Sequence, residues 1–162
     1  MIIRFTKRQL GEYMGQCFDL ALQAKRDHRL LPPYVGSILV SARGELISSG
    51  YKRMSTDGKK TVHAEFDAIR NGQGSIDDQT TLFTTLEPCR KRRKAPSCSR
   101  TIVDARIGRI VYGNVDRSFS HAPYVGVSFL SRQGIEVVSY DELSDRIARE
   151  LMCERYQRWY FK

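Results

Sequence analysis

His63, Glu65, Cys89 and Cys98 are the residues of this sequence whose types and spacing add up to chemistry. An imidazole and two thiolates make a borderline-to-soft donor set suited to zinc. Three protein ligands leave the fourth tetrahedral position to water, which marks a catalytic site rather than a closed structural one. The metal then brings the pKa of that water near neutrality. Glu65 follows His63 by two residues, close enough to reach the water without binding the ion. It is the candidate to take the water's proton and pass it on to the substrate and its leaving group. A purely structural zinc site would have no use for that carboxylate.

The four residues lie in three short segments, His63-Ala64-Glu65, Leu86-Glu87-Pro88-Cys89 and Ala95-Pro96-Ser97-Cys98. The surrounding pattern tells what positions them. Leu10, Tyr13, Met14, Cys17, Phe18 and Ala21 recur at helical spacing, so a first helix is expected from about Lys7 to Arg26. Pro32-Pro33 breaks it and leads into a buried strand, Val35 to Ser41. A turn at Ala42-Arg43-Gly44-Glu45 then forms a hairpin with Leu46 to Tyr51. A Lys-, Thr- and Gly-rich loop follows. His63 to Arg70 reads as a helix stopped by Asn71-Gly72, and Thr80 to Leu86 as a central strand. A helix opens at Pro96-Ser97-Cys98, pointing backbone N–H groups at the Cys98 thiolate. Strands are expected at Ile107 to Tyr112 and Ile135 to Tyr140, with a helix from Tyr124 to Ser131 between them. A closing helix begins at Asp141 and carries Leu143, Ile147 and Leu151. Strands alternating with helices after a hairpin predict an α/β three-layer sandwich, with helices on both faces of a mixed, largely parallel five-stranded sheet.

Composition bounds the rest. The chain has 162 residues, 41% hydrophobic and 28% charged, which is one ordinary folded domain expected to span residues 1–162. No apolar run approaches the roughly 20 residues that cross a bilayer, so no membrane association is expected. The N-terminal apolar stretch is too short for a secretory signal. A cytoplasmic location is therefore expected, where four cysteines stay reduced. The net charge is +9, and Arg90-Lys91-Arg92-Arg93-Lys94 supplies five of the positive charges; without this run the balance is 22 basic against 18 acidic residues. Basicity concentrated in one loop favours a local phosphate site over a surface coated for nucleic acid. Lying between two zinc-ligand candidates, that loop must border the site. Arg90, Arg92, Arg93 and Lys94 are thus candidates to hold a phosphorylated small-molecule substrate.

His63-x-Glu65 with a later Pro88-Cys89 and Cys98 resembles the cytidine and deoxycytidylate deaminase superfamily, over about Tyr13 to Val138. The resemblance implies the sandwich fold, one zinc ion per chain, and hydrolytic removal of an exocyclic amine as ammonia. Most members have Cys-x-x-Cys, whereas eight residues separate Cys89 and Cys98 here. That gap, with Thr84-Thr85-Leu86-Glu87-Pro88-Cys89 and Pro96-Ser97-Cys98, is most similar to the deaminase domain of riboflavin biosynthesis, which acts on a diaminopyrimidine carrying a ribosyl phosphate. The chain departs from that subgroup in Leu31-Pro32-Pro33-Tyr34, where Pro32 replaces an asparagine that holds the ribose. By position in the resemblance, Tyr34 and His121 are further substrate-contact candidates. Two other readings are an editing deaminase acting on transfer RNA or single-stranded DNA, and a zinc-bearing binding module without activity. The basic charge and the aromatic-basic tail Arg155 to Lys162 favour the first, and the intact Glu65 opposes the second. The tail is expected to dock on its own domain or on a second subunit, the chain forming a homodimer or higher homo-oligomer.

Overall fold

The computed structural model describes residues 4–90, 95–117 and 123–161. Helix α1 (Lys7–Lys25) starts at a capping box, with the Thr6 hydroxyl accepting from the Gln9 N–H and the Gln9 side chain accepting from Thr6 in return. Strands β1 (Gly36–Val40) and β2 (Leu46–Tyr51) form the hairpin, with an irregularity at Leu39/Val40. The loop expected next contains a small two-stranded ribbon, β3 (Arg53–Met54) with β4 (Thr61–Val62), around a Ser55–Lys60 turn. Helix α2 (Ala64–Asn71), strand β5 (Thr81–Thr84), helix α3 (Cys98–Asp104) and strand β6 (Arg109–Tyr112) follow. Helix α4 (Val125–Arg132) and strand β7 (Glu136–Ser139) complete the sheet. The closing helix is interrupted: a 3-10 turn at Asp141–Leu143 precedes α5 (Ser144–Leu151), and the chain turns at Met152-Cys153 into α6 (Glu154–Tyr160).

The five-stranded sheet has the order β2-β1-β5-β6-β7. It is mixed, as expected, but not largely parallel: β1 is antiparallel to both β2 and β5, while β5–β6 and β6–β7 are parallel. The helix–strand alternation does set direction, because β2, β5, β6 and β7 all run the same way. The hairpin wedges β1 between β2 and β5 and reverses two of the four pairings. Each step from β2 to β5, β6 and β7 moves in one direction across the sheet, so crossovers of one hand put α2, α3 and α4 on one face.

Side chains alternate accordingly. Leu39, Leu82 and Ile110 face α2, α3 and α4 in a cluster with Ala68, Ile102 and Leu130. Ile38, Val40, Phe83 and Val111 face α1 beside Met14 and Cys17. Leu86, Ile147, Leu151 and Tyr156 form a third cluster, which packs α5 and α6 against Phe18 and Ala21 of α1. The tail thus docks on its own domain through Tyr156. Among the described residues, no helix is long and apolar enough to cross a membrane.

Candidate metal centre

The site lies where β5 ends, at the junction of two helix N-termini. His63 is the N-cap of α2, and Cys98 is the first residue of α3 behind a Ser97 cap whose hydroxyl accepts from the Arg100 N–H at 3.3 Å. Helix α2 can reach this place because Gly50 of β2 has no side chain. A Cβ there would come within 2.3 Å of the Ala68 nitrogen and 2.5 Å of the Ala64 oxygen. Beside Gly50, Arg53 holds the buried Asp67 of α2 through two bonds to one carboxylate oxygen, at 2.6 and 3.0 Å. Beyond β5 the chain runs through Thr85 and Leu86 to Cys89, whose carbonyl accepts from both the N–H and the hydroxyl of Ser99, at 3.1 and 3.0 Å.

These constraints bring the expected ligands together. His63 Nδ1 lies 3.2 Å from Cys98 Sγ and 3.7 Å from Cys89 Sγ, and the two sulfurs are 3.3 Å apart. Tetrahedral zinc, with bonds of about 2.3 Å to sulfur and 2.0–2.1 Å to nitrogen, requires donor separations of roughly 3.5–3.8 Å. The observed triangle is that one slightly drawn in, so the residues fit the ion. Among the described residues it is the one His/Cys/Asp/Glu group whose geometry suits a metal. The Cys98 N–H donates to Cys89 Sγ, and the contact between the two sulfurs lowers the Cys89 pKa, while the same pairing and burial raise that of Cys98. The pairing thus favours the thiolate at Cys89, the form that binds a cation.

Glu65 is buried in the first turn of α2, with Oε2 3.4 Å from Cys98 Sγ. Burial pushes its carboxyl up to about 7, with the neighbouring His63 charge pulling the other way. Among the remaining candidates, Arg90 lays its guanidinium over the Phe129 ring of α4, 4.1 Å from the centroid. Tyr34 is half-buried against the α1–α5 cluster, with its hydroxyl directed at the Leu30 carbonyl at 3.5 Å. Arg92, Arg93, Lys94 and His121 lie outside the described residues.

Sequence reasoning gave no role to Glu87 and Asn114. The Glu87 carboxylate is 3% exposed and accepts four backbone N–H groups, from Asp116, Tyr124, Gly126 and Val127. Burial raises its pKa, and those N–H groups oppose the rise. Asn114 accepts the Glu87 N–H on its backbone carbonyl, and its side-chain oxygen accepts from the Tyr156 hydroxyl at 2.8 Å. An acid at the end of an apolar strand was the available signal for Glu87; nothing local marked Asn114.

The fold and the centre together define an α/β sandwich built around a His–Cys–Cys metal site with a buried acid beside it. The model of the cytidine and deoxycytidylate deaminase zinc-binding region matches residues 7–114, and the chain belongs to that family. It is 31% identical over 148 residues to the riboflavin biosynthesis protein RibD of Synechocystis, covering 88% of this chain and 37% of that protein. It is 36% identical over 104 residues to a tRNA(Ile)-lysidine synthase of Deinococcus radiodurans, covering 62% of this chain and 16% of that one. The crystal structure of a diaminohydroxyphosphoribosylaminopyrimidine deaminase/5-amino-6-(5-phosphoribosylamino)uracil reductase from Thermotoga maritima superposes with a TM-score of 0.73 at 26% identity. That superposition covers 94% of this chain and 41% of the other. The chain therefore spans well under half the length of each of these relatives.

Proposed function

We propose that this chain is a zinc-dependent hydrolytic deaminase that replaces an exocyclic amine of a pyrimidine-type base with a carbonyl, water entering and ammonia leaving. The observation that carries the reading is the convergence of His63 Nδ1, Cys89 Sγ and Cys98 Sγ beside the buried Glu65 carboxylate. When bound, zinc supplies an acidified water for attack on the carbon that bears the amine. His63, Cys89 and Cys98 would hold the ion. Glu65 takes the proton of the attacking water, gives it to the ring nitrogen, and assists departure of the amine. A carboxyl pushed up to about 7 suits both giving and taking protons near neutral pH.

The substrate in this reading is a phosphorylated nucleotide or a ribosylaminopyrimidine phosphate. The long inter-cysteine loop with its basic run supports it, as does similarity to RibD proteins over most of the chain. Replacing Arg92 and Arg93 with alanine is expected to raise KM for phosphorylated substrates and to spare unphosphorylated ones. An equal effect on both would remove phosphate recognition from the reading. The thiols of Cys89 and Cys98, 3.3 Å apart, suit a reducing compartment, the cytoplasm.

Deamination within a nucleic acid is the second reading, favoured by the +9 charge and by 35% identity over 86 residues to a tRNA-specific adenosine deaminase of Haemophilus influenzae. Oligonucleotide binding that weakens steeply with salt would support it. Turnover of mononucleotides or ribosylaminopyrimidine phosphates without oligonucleotide affinity would sink it.

A further inference from the structure

Both chain neighbours of Cys89 touch one wall, made of residues 114–117 and the first two turns of α4. Before the ligand, Glu87 holds the wall by side chain and backbone. Its Oε2 accepts the N–H groups of Asp116 at 3.1 Å and Tyr124 at 3.0 Å, and its Oε1 accepts those of Gly126 at 3.0 Å and Val127 at 3.4 Å. Its own N–H donates to the Asn114 carbonyl at 2.8 Å. At Pro88 the two backbones are in contact, and a Cβ on Gly126 would stand 1.8 Å from the Pro88 oxygen. After the ligand, Arg90 stacks on Phe129 of α4. Helix α4 has no side-chain cap of its own, and Tyr124 precedes it in a left-handed conformation at φ 63°. The acceptor for its first N–H groups comes from the ligand turn instead.

We propose that Glu87 is a positioning residue of the site: its buried carboxylate docks the 114–117 and α4 wall onto the Pro88-Cys89 ligand turn, and so sets the fit of the substrate. The ligand triangle is braced separately. Cys89 is held by the N–H and hydroxyl of Ser99 and the N–H of Cys98, all on α3. Loosening the Glu87 clamp therefore moves the wall and leaves the metal in place. The far side of the wall is held by Tyr156, whose hydroxyl donates to the Val115 carbonyl at 2.7 Å.

The kinetic part of the test rests on the deaminase reading, and the exchange part does not. Zinc-loaded wild type, Glu87→Gln and Gly126→Ala are compared. Gln places an amide where only acceptors fit, and Ala drives α4 off the Pro88 carbonyl with the Glu87 charge intact. Both variants are expected to retain one zinc per chain and to exchange the amides of residues 124–127 faster than wild type, with α2 and α3 unchanged. With diaminohydroxyphosphoribosylaminopyrimidine as substrate, KM is expected to rise about tenfold or more while kcat stays within about threefold. Unchanged exchange at 124–127 overturns the docking role. Zinc loss with exchange spreading into α2 and α3 overturns the separation of wall from metal, and a fall in kcat at constant KM overturns the substrate-fitting role. If Glu87→Gln does not fold, Gly126→Ala carries the same three outcomes. If wild type turns over no substrate, the deaminase reading fails while the exchange comparison still decides the docking.

Discussion

At Glu65 the surroundings decide what an ordinary carboxyl can do. Burial beneath the start of α2 lifts it from an unperturbed 4.5 to about 7, within reach of a proton donor and acceptor at neutral pH. Glu65→Gln is expected to keep the zinc and lose about 10²–10⁴-fold in kcat, measured by ammonia release alongside metal analysis. The same burial has a stability consequence in metal-free protein. Between pH 4.5 and about 7 the folded state holds a proton that the unfolded chain has released, so this contribution to stability falls as pH rises through that window and is flat above it. Chelator-treated Glu65→Gln should therefore be more stable than chelator-treated wild type at pH 8, by up to about 3 kcal/mol, with little difference near pH 4. Denaturant unfolding of both proteins at the two pH values checks the sign. For the ligands, Cys89→Ala should lose the metal and the stability it confers, and tightly bound zinc in that variant would remove Cys89 from the set.

At the scale of elements, what matters is how closely helices approach strands. Gly50→Ala puts a methyl group into the backbone of α2 and is expected to cost about 1–3 kcal/mol and weaken zinc binding, since α2 carries both His63 and Glu65. Tyr156→Phe removes a buried hydroxyl whose one proton is shared between Asn114 Oδ1 and the Val115 carbonyl, so it should cost about 1–2 kcal/mol in thermal or denaturant unfolding with zinc content unchanged. The elements bearing the ligands were legible in the sequence because their signals are local: a strand rich in β-branched residues before Cys89, Pro96-Ser97 before Cys98, and Asn71-Gly72 after α2. The Glu87 clamp was not legible, because its four donors lie 29 to 40 residues further along the chain and are backbone groups that carry no sequence signature. The break between α5 and α6 was also missed, as Met152-Cys153 contains neither glycine nor proline.

Across the whole molecule, strand direction concentrates the chemistry at one end of the sheet, over its central strand. The carboxyl end of β5 and the N-termini of α2 and α3 meet there, where the folding of α/β sheets leaves a crevice for ligands. Helix–strand alternation predicted this arrangement, but pattern alone could not show that β1 would insert between β2 and β5, because pairing is decided by packing over long sequence separations. In the sequence the basic run Arg90 to Lys94 follows the ligand Cys89 directly, and Arg90, its described member, stacks on Phe129 of α4. The most direct test of the account is ammonia release from diaminohydroxyphosphoribosylaminopyrimidine by the zinc-loaded chain, run beside its Glu65→Gln variant at equal zinc content. The account predicts steady release by the wild type and a rate lower by about 10²-fold or more for the variant. Equal rates from the two proteins would contradict it.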